Sequence, residues 1–139
     1  MMVITSIVVL VIIIGIVLWF STAKNEASGY SYSDEYISLG YVPDGLSLES
    51  SDYGKLGSVW CFVNGVDYFV LSMESINSNH SFDTENGTAE NLQINGNDGV
   101  YISTPDVNTL FWGDLNAIYT MTGNLDKSEM IKIAENVNR

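Results

Sequence analysis

An uncharged apolar run near the start of the chain limits what the protein can be. "VITSIVVLVIIIGIVLWF", Val3 to Phe20, is rich in Ile, Val and Leu and contains no charged residue. A helix of that length, at 1.5 Å per residue, just spans a hydrocarbon core of about 30 Å. Trp19 and Phe20 at its end suit the aromatic belt of a bilayer. Because the run has no polar face to present to water, residues 1–22 are predicted to form a transmembrane anchor.

Two other interpretations of this run remain open. The small residues of "STA", 21–23, are typical of a signal-peptidase site, although the run is long for a signal peptide and no basic segment precedes it. A buried core helix or strand pair is the other alternative. For the orientation, Lys24 follows the span and no Lys or Arg precedes it, which by itself favours a cytoplasmic C-terminus.

The rest of the chain is strongly acidic. It has Lys+Arg 5 against Asp+Glu 17, a formal net charge of -12, and every charged residue lies at Lys24 or beyond. Such a surface repels phosphate backbones, so a nucleic-acid partner is not expected. It also repels the anionic face of a bilayer, so the domain is expected to stand off the membrane. The aromatic content of 12% argues for a packed core.

Beyond the anchor, the sequence predicts a polar tether over residues 23–35 and a single domain over residues 36–139. Pro43-Asp44-Gly45 is typical of a turn, since Pro presets φ and Gly accepts a positive φ. The strongest hairpin signal is "SVWCFVNGVDYFVLSM", in which Asn64-Gly65 is the favoured type I′ pair.

Two more strand pairs follow. A second hairpin is predicted to turn within residues 95–99, and a third pair straddles Gly113-Asp114. Short turns between successive strands indicate a meander, so the predicted sheet is antiparallel, with about 5–7 strands.

The C-terminal stretch carries helix signals. Gly123 ends the last predicted strand, and Asp126 with Glu129 has the spacing of a capping box. An apolar stripe follows at i, i+3, i+4 and i+7: Met130, Ile133, Ala134 and Val137. The predicted fold class is therefore α+β, an antiparallel meander with a C-terminal helix packed on one face.

Several segments of the domain resemble one known family. "YVPDGLSLE", "FDTENGTAENLQINGNDGVYI" and "LFWGDLNAIYTMTGNLDKSEMIKIAENV" are similar in order to the DUF4367 domain, over roughly residues 37–137. The matching positions are Pro43, Gly45, Thr84, Glu85, Ile94, Asn95, Gly96, Trp112, Tyr119, Gly123, Glu129, Ile133 and Ala134. The resemblance implies a bacterial domain of largely unknown function, often tethered outside the membrane and distantly similar to lipoprotein carriers. It favours an extracytoplasmic domain over the cytoplasmic orientation that Lys24 suggests.

No catalytic, metal or cofactor site is predicted. His80 is the single histidine and Cys61 the single cysteine, which excludes an intrachain disulfide and a typical zinc site. The acidic residues Asp83, Glu85 and Glu90 lack the spacing of a calcium-binding EF-hand. The chain has neither G-x-S-x-G nor a P-loop, so an enzyme is not expected.

The leading hypothesis is a single-pass membrane protein whose extracytoplasmic, non-catalytic domain senses or binds a protein partner at the cell surface. The alternative is a module that binds or carries an apolar ligand, such as a lipid or acyl chain, between sheet and helix. The residues expected to line that ligand site are Trp60, Phe62, Tyr68 and Phe69.

Overall fold

The computed structural model describes residues 28–76 and 87–139. The strands are β1 (Gly29–Ser33), β2 (Ser38–Pro43), β3 (Ser47–Tyr53), β4 (Gly57–Val63), β5 (Tyr68–Ser75), β6 (Thr88–Ile94), β7 (Asn97–Ser103), β8 (Asn108–Gly113), β9 (Ala117–Gly123) and β10 (Val137–Asn138), and the helix is α1 (Lys127–Glu135). The predicted anchor, residues 23–27 of the tether, and Thr84, Glu85, His80 and Asp83 lie outside the described residues. Within the described part, no helix is long and apolar enough to cross a membrane.

The strands form two antiparallel sheets. The small sheet has the order β1-β2-β10, and the large sheet has seven strands in the order β3-β4-β5-β9-β8-β7-β6. The predicted antiparallel sheet is therefore confirmed. It is not one continuous meander, however, because β3–β5 and β6–β9 are separate meanders that meet where β5 pairs with β9.

One face of the large sheet is buried by the helix and the small sheet. Side chains of this inner face with no exposed surface are Trp60, Phe62, Phe69, Leu71, Leu110 and Met121. Helix α1 adds Met130, Ile133 and Ala134 to the same core, and β2 adds Leu39 and Val42. The predicted placement of the helix on one face of the sheet is confirmed, and Val137 continues the stripe from β10.

Part of the predicted tether is structured. Residues 29–33 form β1, which pairs with β2, and a turn follows. The alternating tyrosines explain the difference, since Tyr32 packs edge-on against Phe62 with ring centroids 5.3 Å apart. The Tyr30 hydroxyl donates a hydrogen bond to the carbonyl oxygen of Leu46. Tertiary packing thus overrides the polar composition of this segment.

The turn predicted at Asn64-Gly65 is present but is not type I′. Gly65 has φ 98°, whereas Asn64 does not adopt a positive φ, and Val63 pairs with Tyr68 across a four-residue loop. A two-residue loop would shift the register and set Asp67 opposite Phe62 on the buried face. Burying that carboxylate is more costly than lengthening the loop.

The other predicted turns form as expected. At Asn95-Gly96 both residues have positive φ, 50° and 83°, and Ile94 pairs with Asn97, so this two-residue loop is type I′. Gly45 has φ 91° in the predicted Pro43-Asp44-Gly45 turn.

The helix begins where the sequence predicts, but the capping box does not form. Asp126 occupies the N-cap position without a side-chain cap hydrogen bond. Glu129 instead accepts a hydrogen bond of 2.7 Å from the Tyr41 hydroxyl. The carboxylate therefore ties the helix to β2 rather than to its own first turn.

Candidate functional site

Several family-motif residues hold the helix in place. The side-chain amide of Asn95 donates to the carbonyl oxygen of Glu135 over 2.9 Å, joining the β6–β7 turn to the end of α1. Glu129 contacts β2 as described, and Ala134 is 1% exposed in the core. In this fold, each of these three residues contacts another element of the domain or lies in its core.

The remaining motif residues shape turns and the sheet. Trp112 and Tyr119 stack across neighbouring strands with ring centroids 5.2 Å apart. A Cβ atom at Gly123 would lie 2.3 Å from the carbonyl oxygen of Tyr68, so this position requires glycine. Pro43 and Gly45 form the β2–β3 turn.

The four residues predicted to line an apolar-ligand site do not share one surface. Trp60, Phe62 and Phe69 are 0% exposed, so no water-sized space adjoins them. Phe62 and Phe69 stack with centroids 4.8 Å apart. Tyr68 is half-buried on the opposite face, because successive side chains of a strand alternate. The structure uses the first three as packed core.

Exposed apolar side chains gather at one end of the large sheet. This end, which we call the tip, carries the β3–β4 turn, the β8–β9 turn and the last residues of β5. Its large exposed apolar side chains are Tyr36, Tyr53, Leu56, Val59, Ile76 and Leu115. Leu56 is 82% exposed and Leu115 is 92% exposed, so neither contributes to the core.

The chain enters the domain at the opposite end, which we call the base. There the carbonyl oxygen of Ser28 accepts a hydrogen bond of 3.1 Å from the backbone N–H of Asp44, next to the β2–β3 turn. A seven-residue strand separates the base from the tip by about 20 Å. The exposed apolar residues of the base are Tyr30 and Val66.

A carboxylate hub fixes the tip to the small sheet. Asp34 lies in the β1–β2 turn, and its Oδ2 accepts hydrogen bonds from three aromatic side chains. The donors are the Tyr32 hydroxyl at 2.9 Å, the Tyr53 hydroxyl at 2.8 Å and Trp60 Nε1 at 2.7 Å. Because they come from β1, β3 and β4, one side chain links the two sheets.

The hub also changes the acidity of Asp34. Its Oδ1 accepts from the backbone N–H groups of Tyr36 and Ile37, at 2.8 and 2.9 Å. Burial alone would raise the pKa of this carboxyl. The hydrogen bonds from Trp60, from the two backbone groups and from Tyr53 outweigh burial and lower the pKa to about 2. Asp34 is therefore ionised and structural at neutral pH.

Two stacked tyrosines form a platform beside this hub. The rings of Tyr36 and Tyr53 lie 4.3 Å apart with an interplanar angle of 24°, and the residues are 44% and 40% exposed. Tyr53 also meets Trp60 edge-on at 5.9 Å. The exposed carboxylates of Glu35 and Asp52 adjoin the platform in sequence. The hydrogen bond to Asp34 and the contact with Trp60 fix the position of Tyr53 in this platform.

Two shallow cavities flank the β3–β4 turn at the tip. One, of about 310 Å³, is lined by residues that include Lys55, Leu56 and Arg139. The other, of about 380 Å³, has Leu56 and Val59 in its wall. In residues 28–76 and 87–139, no group of three His, Cys, Asp or Glu side chains is placed to hold a metal ion.

The tip residues are not among those predicted from the sequence to form a site. A signal was present, because Leu56 and Leu115 stand inside the turn segments "YGKLG" and "GDLN", where polar residues are the norm. That Tyr36 approaches Tyr53 depends on how the two sheets pack, which neither segment encodes.

The seven-stranded antiparallel sheet with one helix and a small sheet on its inner face defines an α+β domain. The family described as "Domain of unknown function (DUF4367)" matches residues 36–137, and the chain belongs to that family. Among curated proteins, no sequence matches the chain.

Proposed function

We propose that this protein is a membrane-anchored, extracytoplasmic and non-catalytic domain that binds a protein partner through the tip. The observation that carries the proposal is the gathering of exposed apolar side chains at the end of the domain opposite Ser28. Large exposed apolar side chains that cluster at one end of a folded domain typically mark an interaction site.

The geometry suits an anchor over residues 3–20. Residues 21–27 lead from that run to Ser28, so the base is the end nearest the membrane and the tip points away from it. The net charge of -12 keeps the domain off an anionic bilayer, which leaves the tip open to another protein.

The packed interior favours a protein partner over an apolar small ligand. A lipid or acyl chain between sheet and helix would have to separate Trp60, Phe62 and Phe69, which leave no water-sized space. Opening such a core costs several kcal/mol, as cavity-forming substitutions do.

A topology assay tests the anchor and the orientation. The full chain is fused at its C-terminus either to alkaline phosphatase, which is active only outside the cytoplasm, or to a reporter active only inside. We expect phosphatase activity and an uncleaved chain in the membrane fraction. An active cytoplasmic reporter would refute the orientation, and release of a shortened chain would refute the anchor.

In-cell crosslinking tests the tip as the binding surface. A photoreactive amino acid replaces Leu56 at the tip or Val66 at the base, which are almost equally exposed at 82% and 81%. We expect a discrete crosslinked protein from position 56 and none from position 66. Equal patterns at both positions, or no product at position 56, would refute a tip-specific partner.

A further inference from the structure

We infer that the tip recognises a cationic side chain, Lys or Arg, carried on an apolar segment of the protein partner. The inference rests on the proposed function and adds the chemistry of the partner. It concerns the platform of Tyr36 and Tyr53 together with Leu56 in the adjacent β3–β4 turn.

The platform presents aromatic surface in a fixed position. Tyr53 is held by its hydrogen bond to Asp34 and its contact with Trp60, and Tyr36 stacks upon it. The face of an aromatic ring carries partial negative charge and attracts a cation within about 6 Å of its centroid. A preformed ring pair also loses little conformational freedom on binding, which favours affinity.

Two other tyrosines of the domain make cation–π contacts with its own lysines. Lys132 Nζ lies 4.1 Å from the ring centroid of Tyr41, and Lys127 Nζ lies 5.4 Å from that of Tyr101. Within the described part of the chain, no such cation stands over Tyr36 or Tyr53, although both rings are accessible. The platform can therefore accept a cation from outside.

Charge complementarity points to the same partner. The protein carries a net charge of -12, and none of the seven strands of the large sheet contains Lys or Arg. Glu35, which precedes Tyr36 in the chain, is exposed. Lys55 and Arg139, the cations at the tip, line the cavity under the β3–β4 turn. The net negative charge of the protein therefore attracts a basic segment over long range, and the platform binds its cationic side chain.

The apolar part of the partner has its own contact. Leu56, three residues after Tyr53, is 82% exposed in the β3–β4 turn. An apolar side chain placed there would cover it, at about 25 cal/mol for each Å² of apolar surface removed from water. A segment that combines cationic and apolar side chains matches both parts of the tip.

The test compares two synthetic peptides that differ in charge alone. The full chain, in neutral-detergent micelles, is titrated with a fluorescent twelve-residue peptide of Leu, Gly and Arg. The second peptide has citrulline, a neutral analogue of similar shape, in place of each Arg. We expect the Arg peptide to bind at least about tenfold more tightly by fluorescence anisotropy, and salt to weaken its binding.

Matched variants separate the platform from general attraction to an acidic protein. Y36L should weaken Arg-peptide binding by about two- to fivefold, the cation–π contribution at an exposed site, while Y36F should retain it. E35Q, next to Tyr36, should weaken binding more than D106N, which removes one charge from the exposed β7–β8 turn at the base. Circular dichroism of each variant confirms the fold.

Each other outcome has a defined meaning. Equal binding of the Arg and citrulline peptides, equal effects of E35Q and D106N, or an unaltered affinity in Y36L would overturn the cationic-partner inference. If crosslinking from position 56 still yields its discrete product, the proposed function stands and this inference alone fails. If that product is also missing, the proposed function fails with it.

Discussion

Two turns at the tip have the same local chemistry and very different roles. Asp34 and Asp114 each donate their backbone N–H to the carbonyl oxygen three residues later, at 2.9 and 3.0 Å. In both turns the aspartate Oδ1 accepts from the backbone N–H groups of the second and third following residues, over 2.7–2.9 Å. The turn-forming part of the two carboxylates is therefore equivalent.

The two aspartates differ in the hydrogen-bond partners of the second carboxylate oxygen, Oδ2. Among the described residues, Asp34 Oδ2 accepts from three aromatic side chains of β1, β3 and β4, whereas Asp114 Oδ2 accepts from one, Tyr119, over 3.1 Å within its own hairpin. The pKa of both carboxyls is lowered, because in each case hydrogen bonds outweigh the opposing effect of burial. The hydrogen bonds that form such a turn are therefore local, whereas the importance of the turn for the fold depends on partners distant in sequence.

The largest expected effect is that of D34N. Asparagine keeps an oxygen for the backbone N–H groups but turns an NH₂ group toward three donors that then lack an acceptor. We expect the domain to lose about 3 kcal/mol of stability, because the buried Trp60 Nε1–H and the half-buried Tyr32 hydroxyl lose a charged acceptor, and a hydrogen bond to a charged group contributes about 1.5–3 kcal/mol. Thermal unfolding of the full chain in micelles, followed by near-UV circular dichroism, measures it. A loss below about 1 kcal/mol would show that the hub is dispensable.

Acid should reproduce much of the same loss without a mutation. The pKa of Asp34 is about 2 in the fold against 3.8 for the unperturbed group, so its stabilisation is complete above pH 3.8 and is lost as pH falls through 2. We expect on the order of 2 kcal/mol from this group. The stability difference between wild type and D34N, measured from pH 6 to pH 2, should therefore shrink toward acid. A difference that stays constant would contradict the assignment.

A smaller effect is expected for D114N. The turn keeps its backbone acceptor, and a single hydroxyl, that of Tyr119, loses its partner. We expect a loss of about 1 kcal/mol, the net value of one hydrogen bond. The same unfolding measurement decides it. Equal losses in D114N and D34N would mean that the turn, not the link between sheets, dominates both sites.

The smallest expected effect is that of Y53F. It removes one of the three side-chain donors to Asp34 at a residue that is 40% exposed, and it keeps the stack with Tyr36. We expect a loss of about 0.5 kcal/mol. In the D34N background the same change should cost nothing further. A double-mutant cycle measures the coupling, and a coupling of zero would contradict the link.

The spacing of apolar residues predicted much of this fold, because it shows which face of each strand or helix is buried. The β4–β5 hairpin and the apolar stripe of α1 are examples. Two predictions were wrong because of partners distant in sequence. Residues 29–33 form a strand because Tyr32 packs against Phe62, and Glu129 accepts a hydrogen bond from Tyr41 instead of forming a capping box. At Asn64 the type I′ turn does not form, because the β4–β5 hairpin adopts the register that keeps Asp67 out of the core.

The candidate site was less predictable than the fold. The prediction of ligand-lining residues depends on large size and apolarity. Core residues have the same properties, and Trp60 proves to be one of them. Leu56 and Leu115 could be noticed as apolar residues in turns, yet their common location depends on the strand order. Nothing in the segment around Asp34 indicates that three aromatic donors converge on it.

The junction of β5 with β9 has a consequence for how the chain folds. Neighbouring strands of each meander close over a few residues, but Ser75 pairs with Ala117 across about forty residues of intervening chain. Contacts that distant in sequence carry the larger entropy of closure and slow folding. The two meanders are therefore expected to gain structure early, and the β5–β9 pairing to limit the folding rate. Residues such as Leu71 and Met121, which face each other across that junction, would then govern how fast the whole domain assembles.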